Sequence, residues 1–179
     1  MTTVIRRATP ADAYGIARVQ VETWRDTYPT ILPHRYLVKH LTLGSSTASW
    51  ARTLGHADGR DSTFVAVDGD AVVGFAAFGP SRERNLGFEA ELYSLYVLID
   101  AQGHGLGRRL CRAVAMDLLD VGRCSMCVEV LAANPARFFY ETLKARRVAT
   151  KEHPFAGVVL PTVIYGWPDL HLLAGATEA

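Results

Sequence analysis

Hydrophobic and polar positions along this chain fall into short blocks that switch between a two-residue and a four-residue beat. Thr3 to Arg7 is a short strand candidate. Thr9-Pro10-Ala11-Asp12 reads as a helix start, with Thr9 as cap, Pro10 at the first helical position and Asp12 near the positive helix end. That helix runs toward Trp24 and Thr27. Pro29 and Pro33 break the chain, and Arg35 to His40 and Thr47 to Leu54 read as short helices. Thr63 to Val67 alternates, Asp68-Gly69-Asp70 turns, and Ala71 to Phe78 returns as the second arm of a hairpin. Residues 79 to 85 read as a polar loop.

Glu91 to Ile99 is a strand rich in Leu, Tyr and Val, followed by a glycine loop from Gly103 to Gly107. The next helix carries Leu106, Leu110, Val114 and Leu118 at every fourth position, with Gly122 as its stop. Met126 to Leu131 is a strand and Asn134 to Leu143 a helix with Pro135 in its first turn. Residues 147 to 151 and 158 to 166 form a closing pair of strands. The order is strand, helices, three strands, helix, strand, helix, two strands. It predicts an α/β fold with a mixed sheet, in which residues 91 to 131 form a parallel crossover unit. Residues 1–170 are expected to make one domain and 171–179 a tail.

Composition narrows the class. The chain has 179 residues, 49% of them hydrophobic and 21% charged, which fits one globular core. The net charge of +1 argues against nucleic acid as the main partner, because phosphate backbones call for a basic excess. The longest apolar run, Ala71 to Gly79, is far below the roughly 20 residues of a membrane span, and the first residues lack the apolar core of a secretory signal. A cytoplasmic protein without membrane attachment is the expectation. Cys124 and Cys127 form a lone C-x-x-C with no second pair, so they are read as buried apolar side chains in a strand from Cys124, and no metal is expected.

The strongest chemical signal is Gln102-Gly103-His104-Gly105-Leu106-Gly107 between a strand and a helix. Glycines permit positive φ and close approach of a ligand, and the following helix points unpaired N–H groups into the loop. Arg108 and Arg109 add positive charge at its mouth. Alone, such a loop reads equally as a tight structural turn. A Walker loop would end in Gly-Lys-Ser/Thr, whereas Arg108 follows Gly107 here, and the glycine spacing does not fit a dinucleotide fingerprint.

Q-x-x-G-x-G does fit, with Gln102, Gly105 and Gly107. With the preceding strand Glu91-Leu92-Tyr93-Ser94-Leu95-Tyr96-Val97 it resembles the coenzyme A site of the GCN5-related N-acetyltransferases. Asn134-Pro135-Ala136-Arg137-Phe138-Phe139-Tyr140-Glu141 resembles that family's N-x-x-A-x-x-F-Y-E helix. The element order matches the family along about the whole chain. One departure stands out: Leu143-Lys144-Ala145-Arg146-Arg147 replaces the usual turn carrying Gly-Phe, which predicts a later or frayed helix end.

The resemblance implies acetyl-CoA as co-substrate and direct transfer to a primary amine. It places the pantetheine arm on backbone groups of Leu95, Tyr96 and Val97. It places the pyrophosphate on the amides of Gln102, Gly103, His104, Gly105, Leu106, Gly107 and Arg108. Glu91 is the implied general base and Tyr140 the acid that protonates the leaving thiolate. A solvated strand-end charge is the bland alternative for Glu91, and simple packing beside the pantetheine for Tyr140. Asn134 binds pantetheine amides or caps its helix. The N–H of Val97 would meet the oxyanion. Glu129 assists the base, binds a cationic substrate or faces outward. Trp24, Tyr28, His34 and Tyr36 lie where the family walls its acceptor groove, His153 and Phe155 fall in the turn between the last strands that faces it, and all as readily make ordinary core and surface. The acceptor is a small molecule or a peptide amine. A homodimer is compatible with the family, and no residue here marks its surface. A non-catalytic acyl-CoA sensor on the same fold is the competing reading.

Overall fold

The computed structural model describes residues 3–28, 41–55, 62–155 and 158–175. The helix expected at Arg35 to His40, and the positions of His34 and Tyr36, lie outside them. In chain order the elements are β1 (Val4–Arg7), α1 (Ala13–Thr27), α2 (Leu43–Gly55), β2 (Ser62–Asp68), β3 (Ala71–Pro80), β4 (Ala90–Val97), α3 (Leu106–Asp120), β5 (Met126–Leu131), α4 (Arg137–Thr142), β6 (Arg146–Phe155), β7 (Val158–Trp167) and α5 (His171–Ala174). The strands form one seven-stranded sheet in the order β1-β2-β3-β4-β5-β7-β6. β4 and β5 are parallel, while β1 with β2, β5 with β7 and β6 with β7 are antiparallel. This is the expected mixed α/β fold. Among the described residues no helix is long and apolar enough to cross a membrane.

Two compact units divide the chain: Met1–Ala77 with Ser94–Leu110, and Phe78–Tyr93 with Cys111–Ala179. In the first, Ile16 and Val19, one helical turn apart on α1, are fully buried against Val65, Val72 and Phe75. Gly15 lets α1 approach β3, since a Cβ there would lie 2.7 Å from the Val72 side chain. α2 docks through Trp50, whose indole N–H donates to Gln20 at 2.8 Å and whose ring meets Phe75 edge-on. The start of α1 is fixed as its sequence predicts. Asp12 accepts from the Thr9 N–H at 2.7 Å and from two Arg6 nitrogens at 2.8 Å, and a short 3-10 turn over Pro10–Asp12 leads into the helix.

In the second unit Met126, Cys127, Ile164, Tyr165, Trp167, Leu118 and Leu170 supply the buried interior. Two helices end in the same hydrogen-bond pattern. After α3, Arg123 N–H bonds to Leu118 C=O and Gly122 N–H to Leu119 C=O, with Gly122 at φ +77°. After α4, Ala145 N–H bonds to Tyr140 C=O and Lys144 N–H to Glu141 C=O, with Lys144 at φ +65°. The late or frayed end expected for α4 is therefore corrected. Lysine takes the left-handed position that glycine fills after α3, and the helix stops cleanly at Thr142.

Other boundaries shift for local reasons. β3 continues through Pro80 instead of yielding to a loop at Gly79, as a strand end tolerates a residue without an N–H. Ile99 leaves the strand and opens a 3-10 turn. Leu106 and Gly107 belong to α3, and α4 begins at Arg137 rather than Asn134. The last two strands are longer than expected and pair with each other. Cys124 precedes β5 and is exposed, so only Cys111 and Cys127 fit the buried reading. Within 171–179, His171–Ala174 is helical, Leu173 is buried and the Ala174 carbonyl accepts from Arg112 at 2.8 Å.

Candidate active site

In the first unit, the strand-to-helix turn presents backbone donors. Gly103 and Gly105 lie at φ +78° and +72°, and a Cβ added at either would meet nothing within 4 Å. The first helical bond of α3 runs from Arg109 N–H to Gly105 C=O at 3.0 Å. The amides from Gly105 to Arg108 therefore lie ahead of the helical ladder, at its positive end. Gln102, Gly103, His104 and Gly105 are exposed, while Leu106 is buried and anchors the turn. These features fit a pyrophosphate cradle. Gln102 contributes differently from the expectation: its side-chain amide donates to the Val97 carbonyl at 2.9 Å, tying the loop to the end of β4. Arg109 donates to the Thr3 carbonyl at 2.8 Å and, with His104 and Leu106, lines a cavity beside the loop.

The same unit shows how β4 divides its backbone. Leu98 N–H donates to Val73 of β3, and a Cβ on Gly74 would sit 3.0 Å from the Tyr96 carbonyl. Strand alternation then gives Leu95 and Val97 backbone groups on the opposite edge, and turns those of Tyr96 toward β3. The set of three residues expected to pair with an extended ligand thus narrows to two through their backbones. On α1, Trp24 and Tyr28 pack edge-on at 5.0 Å, and Tyr28 is buried.

In the second unit Glu91 is only 1% exposed, so it is no solvated strand-end charge. Its carboxylate accepts from the Arg82 backbone N–H at 2.9 Å, from Nε at 3.1 Å and from Nη2 at 2.5 Å. The guanidinium also lies 4.6 Å over the Tyr93 ring, whose hydroxyl donates to the Pro80 carbonyl. Hydrogen bonding to Glu91 holds Arg82 above the ordinary arginine range. Sequence reasoning gave no role to Arg82, which arrives from the far side of a nine-residue loop.

Glu129 does not face outward: its side chain is 16% exposed and it accepts from the Thr162 hydroxyl at 2.7 Å. Glu83, equally buried, accepts from Lys151 at 2.5 Å, a bond that raises the lysine above its usual range. His153 Nδ1 lies 3.5 Å from Glu129. Glu83, Lys151 and Thr162, to which sequence reasoning gave no role, join His153 in a polar group around Glu129, and His153 and Phe155, expected in a turn, lie in β6. Cys127 packs nearby, pairs in register with Glu91, and burial pushes its thiol up to about 11.

α4 carries Tyr140, 7% exposed and packed against Tyr165 and Trp167. The helix is tied to β7 at two points. Tyr165 hydroxyl donates to Glu141 at 2.7 Å and Trp167 Nε1 to the Leu143 carbonyl at 2.8 Å. The Asn134 side-chain oxygen accepts from Ala136 N–H at 2.9 Å in the turn ahead of α4, while Ala136 itself stands at the cap position, which carries no side-chain cap bond. Among the described residues, no group of three or more His, Cys, Asp or Glu is arranged to hold a metal ion.

Comparison with known proteins identifies the family and the fold. A family profile described as acetyltransferase (GNAT) domain matches residues 59–143. The uncharacterized N-acetyltransferase YuaI of Bacillus subtilis is 40% identical over 171 residues, covering 94% of this chain and 95% of that protein. The fold is shared with PaiA N-acetyltransferase from Thermoplasma acidophilum, solved with coenzyme A (TM-score 0.70, 17% identity, 91% of this chain and 98% of that one). It is shared also with the ribosomal-protein-S18-alanine N-acetyltransferase of Escherichia coli (TM-score 0.64, 20% identity, 94% of each chain).

Proposed function

Because the chain belongs to the GCN5-related N-acetyltransferases, an acetyl-CoA-dependent family, we propose that it acetylates a primary amine by direct transfer, with Glu91 as general base and Tyr140 as general acid. The observation that carries the reading is the open turn at Gly103 and Gly105, where an added Cβ would meet nothing within 4 Å. Acetyl-CoA supplies an activated acetyl group and a thiolate leaving group. Gln102 to Arg108 would hold the pyrophosphate through their amides, and Leu95 and Val97 would pair with the pantetheine arm. Asn134, whose side-chain oxygen accepts from Ala136 N–H, would lie beside the pantetheine amides.

Glu91 takes the amine proton, directly or through water, while Arg82 fixes the carboxylate's orientation. Arg82 approaches the carboxylate with three donors in four contacts: its backbone N–H, Nε to both oxygens, and Nη2. The Val97 N–H donates to the thioester oxygen as charge develops there. Tyr140, held on β7 by the contacts of α4, delivers a proton to the sulfur. Trp24 and Tyr28 offer aromatic surface to the acceptor, and Glu129 offers charge. Residues 1–170 act as the catalytic domain. Release of free thiol from acetyl-CoA across a panel of small amines and peptides tests the proposal. Tight coenzyme binding with no release for any amine would favour a sensor instead.

A further inference from the structure

The second unit sets three carboxylates and two permanent cations in one polar group. Arg82 is spent on Glu91, with three donors making four contacts. Lys151 is spent on Glu83, at 2.5 Å. Its ammonium stands 3.8 Å from Glu129 Oε2, beyond hydrogen-bond reach. Glu129 is left with one neutral donor, Thr162, on Oε1, and with His153 at 3.5 Å, which carries charge only when protonated. A carboxylate with 16% of its side chain exposed has lost most of its water, and one hydroxyl does not replace it. The group is one cation short, and the shortfall sits at Glu129.

Its position relative to Glu91 gives the shortfall a meaning. Glu91 pairs in register with Cys127, and Glu129 lies two residues further along β5. Two residues return to the same face of a strand about 7 Å on. A nitrogen reacting beside Glu91 would therefore have Glu129 about one short alkyl chain away. We propose that Glu129 determines acceptor specificity by binding a second positive charge on the acceptor, distinct from the nitrogen that is acetylated. The acceptor class is a diamine, or an amine with a cationic group a few bonds distant. This rests on Glu91 marking the reacting end. Arg82 and Lys151 are already paired with Glu91 and Glu83, so an acceptor bearing a carboxylate at its far end meets no unpaired cation there.

Three amines of equal length test it: 1,4-diaminobutane, butylamine and 4-aminobutyrate, whose far ends are positive, neutral and negative. Their affinities for the coenzyme A complex are measured by calorimetry, independently of turnover, with wild type and Glu129→Gln. In wild type the diamine should bind roughly ten- to a hundredfold more tightly than butylamine, the range of a hydrogen bond to a charged group, with aminobutyrate weakest. Glu129→Gln should bring the diamine to the level of butylamine and leave coenzyme affinity unchanged, which shows that the variant is folded. A flat or reversed order in wild type, absence of amine binding, a preference that survives in the variant, or an equal loss for diamine and butylamine would each overturn the proposal. Thiol release is read separately: binding with the predicted order but no release would overturn the catalytic reading and leave this one standing.

Discussion

Arg82 grips Glu91 with both its backbone and its side chain: one carboxylate oxygen takes the backbone N–H at 2.9 Å, and the guanidinium closes on both oxygens. The residue that does this is itself 64% exposed, while its partner is 1% exposed. A buried carboxylate is thus held from the solvent side by an exposed but doubly tethered arginine.

Glu91→Gln should lower kcat/KM most at neutral pH. The amide keeps the shape and can still accept from Arg82, but it takes no proton. As pH approaches the amine's own pKa, near 10 for an alkylamine, more acceptor arrives neutral and the missing base matters less. The ratio of wild-type to variant kcat/KM should therefore shrink as pH rises. A ratio that stays flat from pH 7 to 10 would confine Glu91 to its partnership with Arg82.

Gly105→Glu should abolish tight coenzyme binding, since it sets a carboxylate where phosphate approaches. The site has room for the side chain, but φ +72° costs any L-residue about 1–2 kcal/mol. Gly105→Ala carries the same strain without the charge and serves as the comparison. Calorimetry should find the glutamate variant far weaker than the alanine one; equal affinities would argue against phosphate at this loop.

Tyr140→Phe deletes one hydroxyl and almost no volume, so the packing on Tyr165 and Trp167 should survive. Coenzyme affinity should hold while turnover falls by about 10²-fold, the lower end for a lost general acid, because water substitutes in part. Single-turnover rates equal to wild type would reduce Tyr140 to packing.

Lys144→Gly should stabilise the protein by up to about 1 kcal/mol, as glycine relieves the left-handed strain and gives back part of that in unfolded-state entropy. The Gly122 turn after α3 shows the same hydrogen-bond pattern already fitted with glycine. Urea unfolding would read the change, and a destabilised variant would show that the lysine side chain contributes contacts of its own.

Acid should loosen the start of α1. Arg6 and the Thr9 amide hold the Asp12 carboxyl down at about 2, below the ordinary value of 3.8. A carboxyl depressed in the folded state contributes stability that is complete above the ordinary value and disappears as pH falls through the folded one. Between about pH 4 and pH 2 the chain should lose on the order of 2 kcal/mol from this residue. Asp12→Asn should be less stable at pH 7 and should lack that portion of the acid slope in urea titrations.

Much of this was written locally in the chain. The strand Met126–Leu131 has the expected bounds because its apolar run is flanked by turn residues, and α3 follows its four-residue repeat to the predicted glycine stop. The turn with Gly103 and Gly105 at positive φ was legible because glycines cluster there just before a helix. The partners of the carboxylates were not. Lys151 and Glu83 are 68 residues apart, and Arg82 and Glu91 meet only once β3 has run on through Pro80. Such pairings depend on strand register, which no local pattern reports. Lys144 misled for a different reason: a left-handed turn normally advertises itself with glycine, and here the hydrogen bonds impose it on a lysine.

The three sulfhydryls differ in a way that matters at the bench. Cys111 and Cys127 are sealed in the interior with thiols pushed up to about 12 and 11, whereas Cys124 is exposed on the approach to β5. Thiolate, not thiol, reacts with maleimides and disulfide dyes. One fluorophore per chain should therefore attach, at Cys124, without mutagenesis, and a dye used to follow coenzyme release would see a single prompt equivalent of protein sulfur as its background.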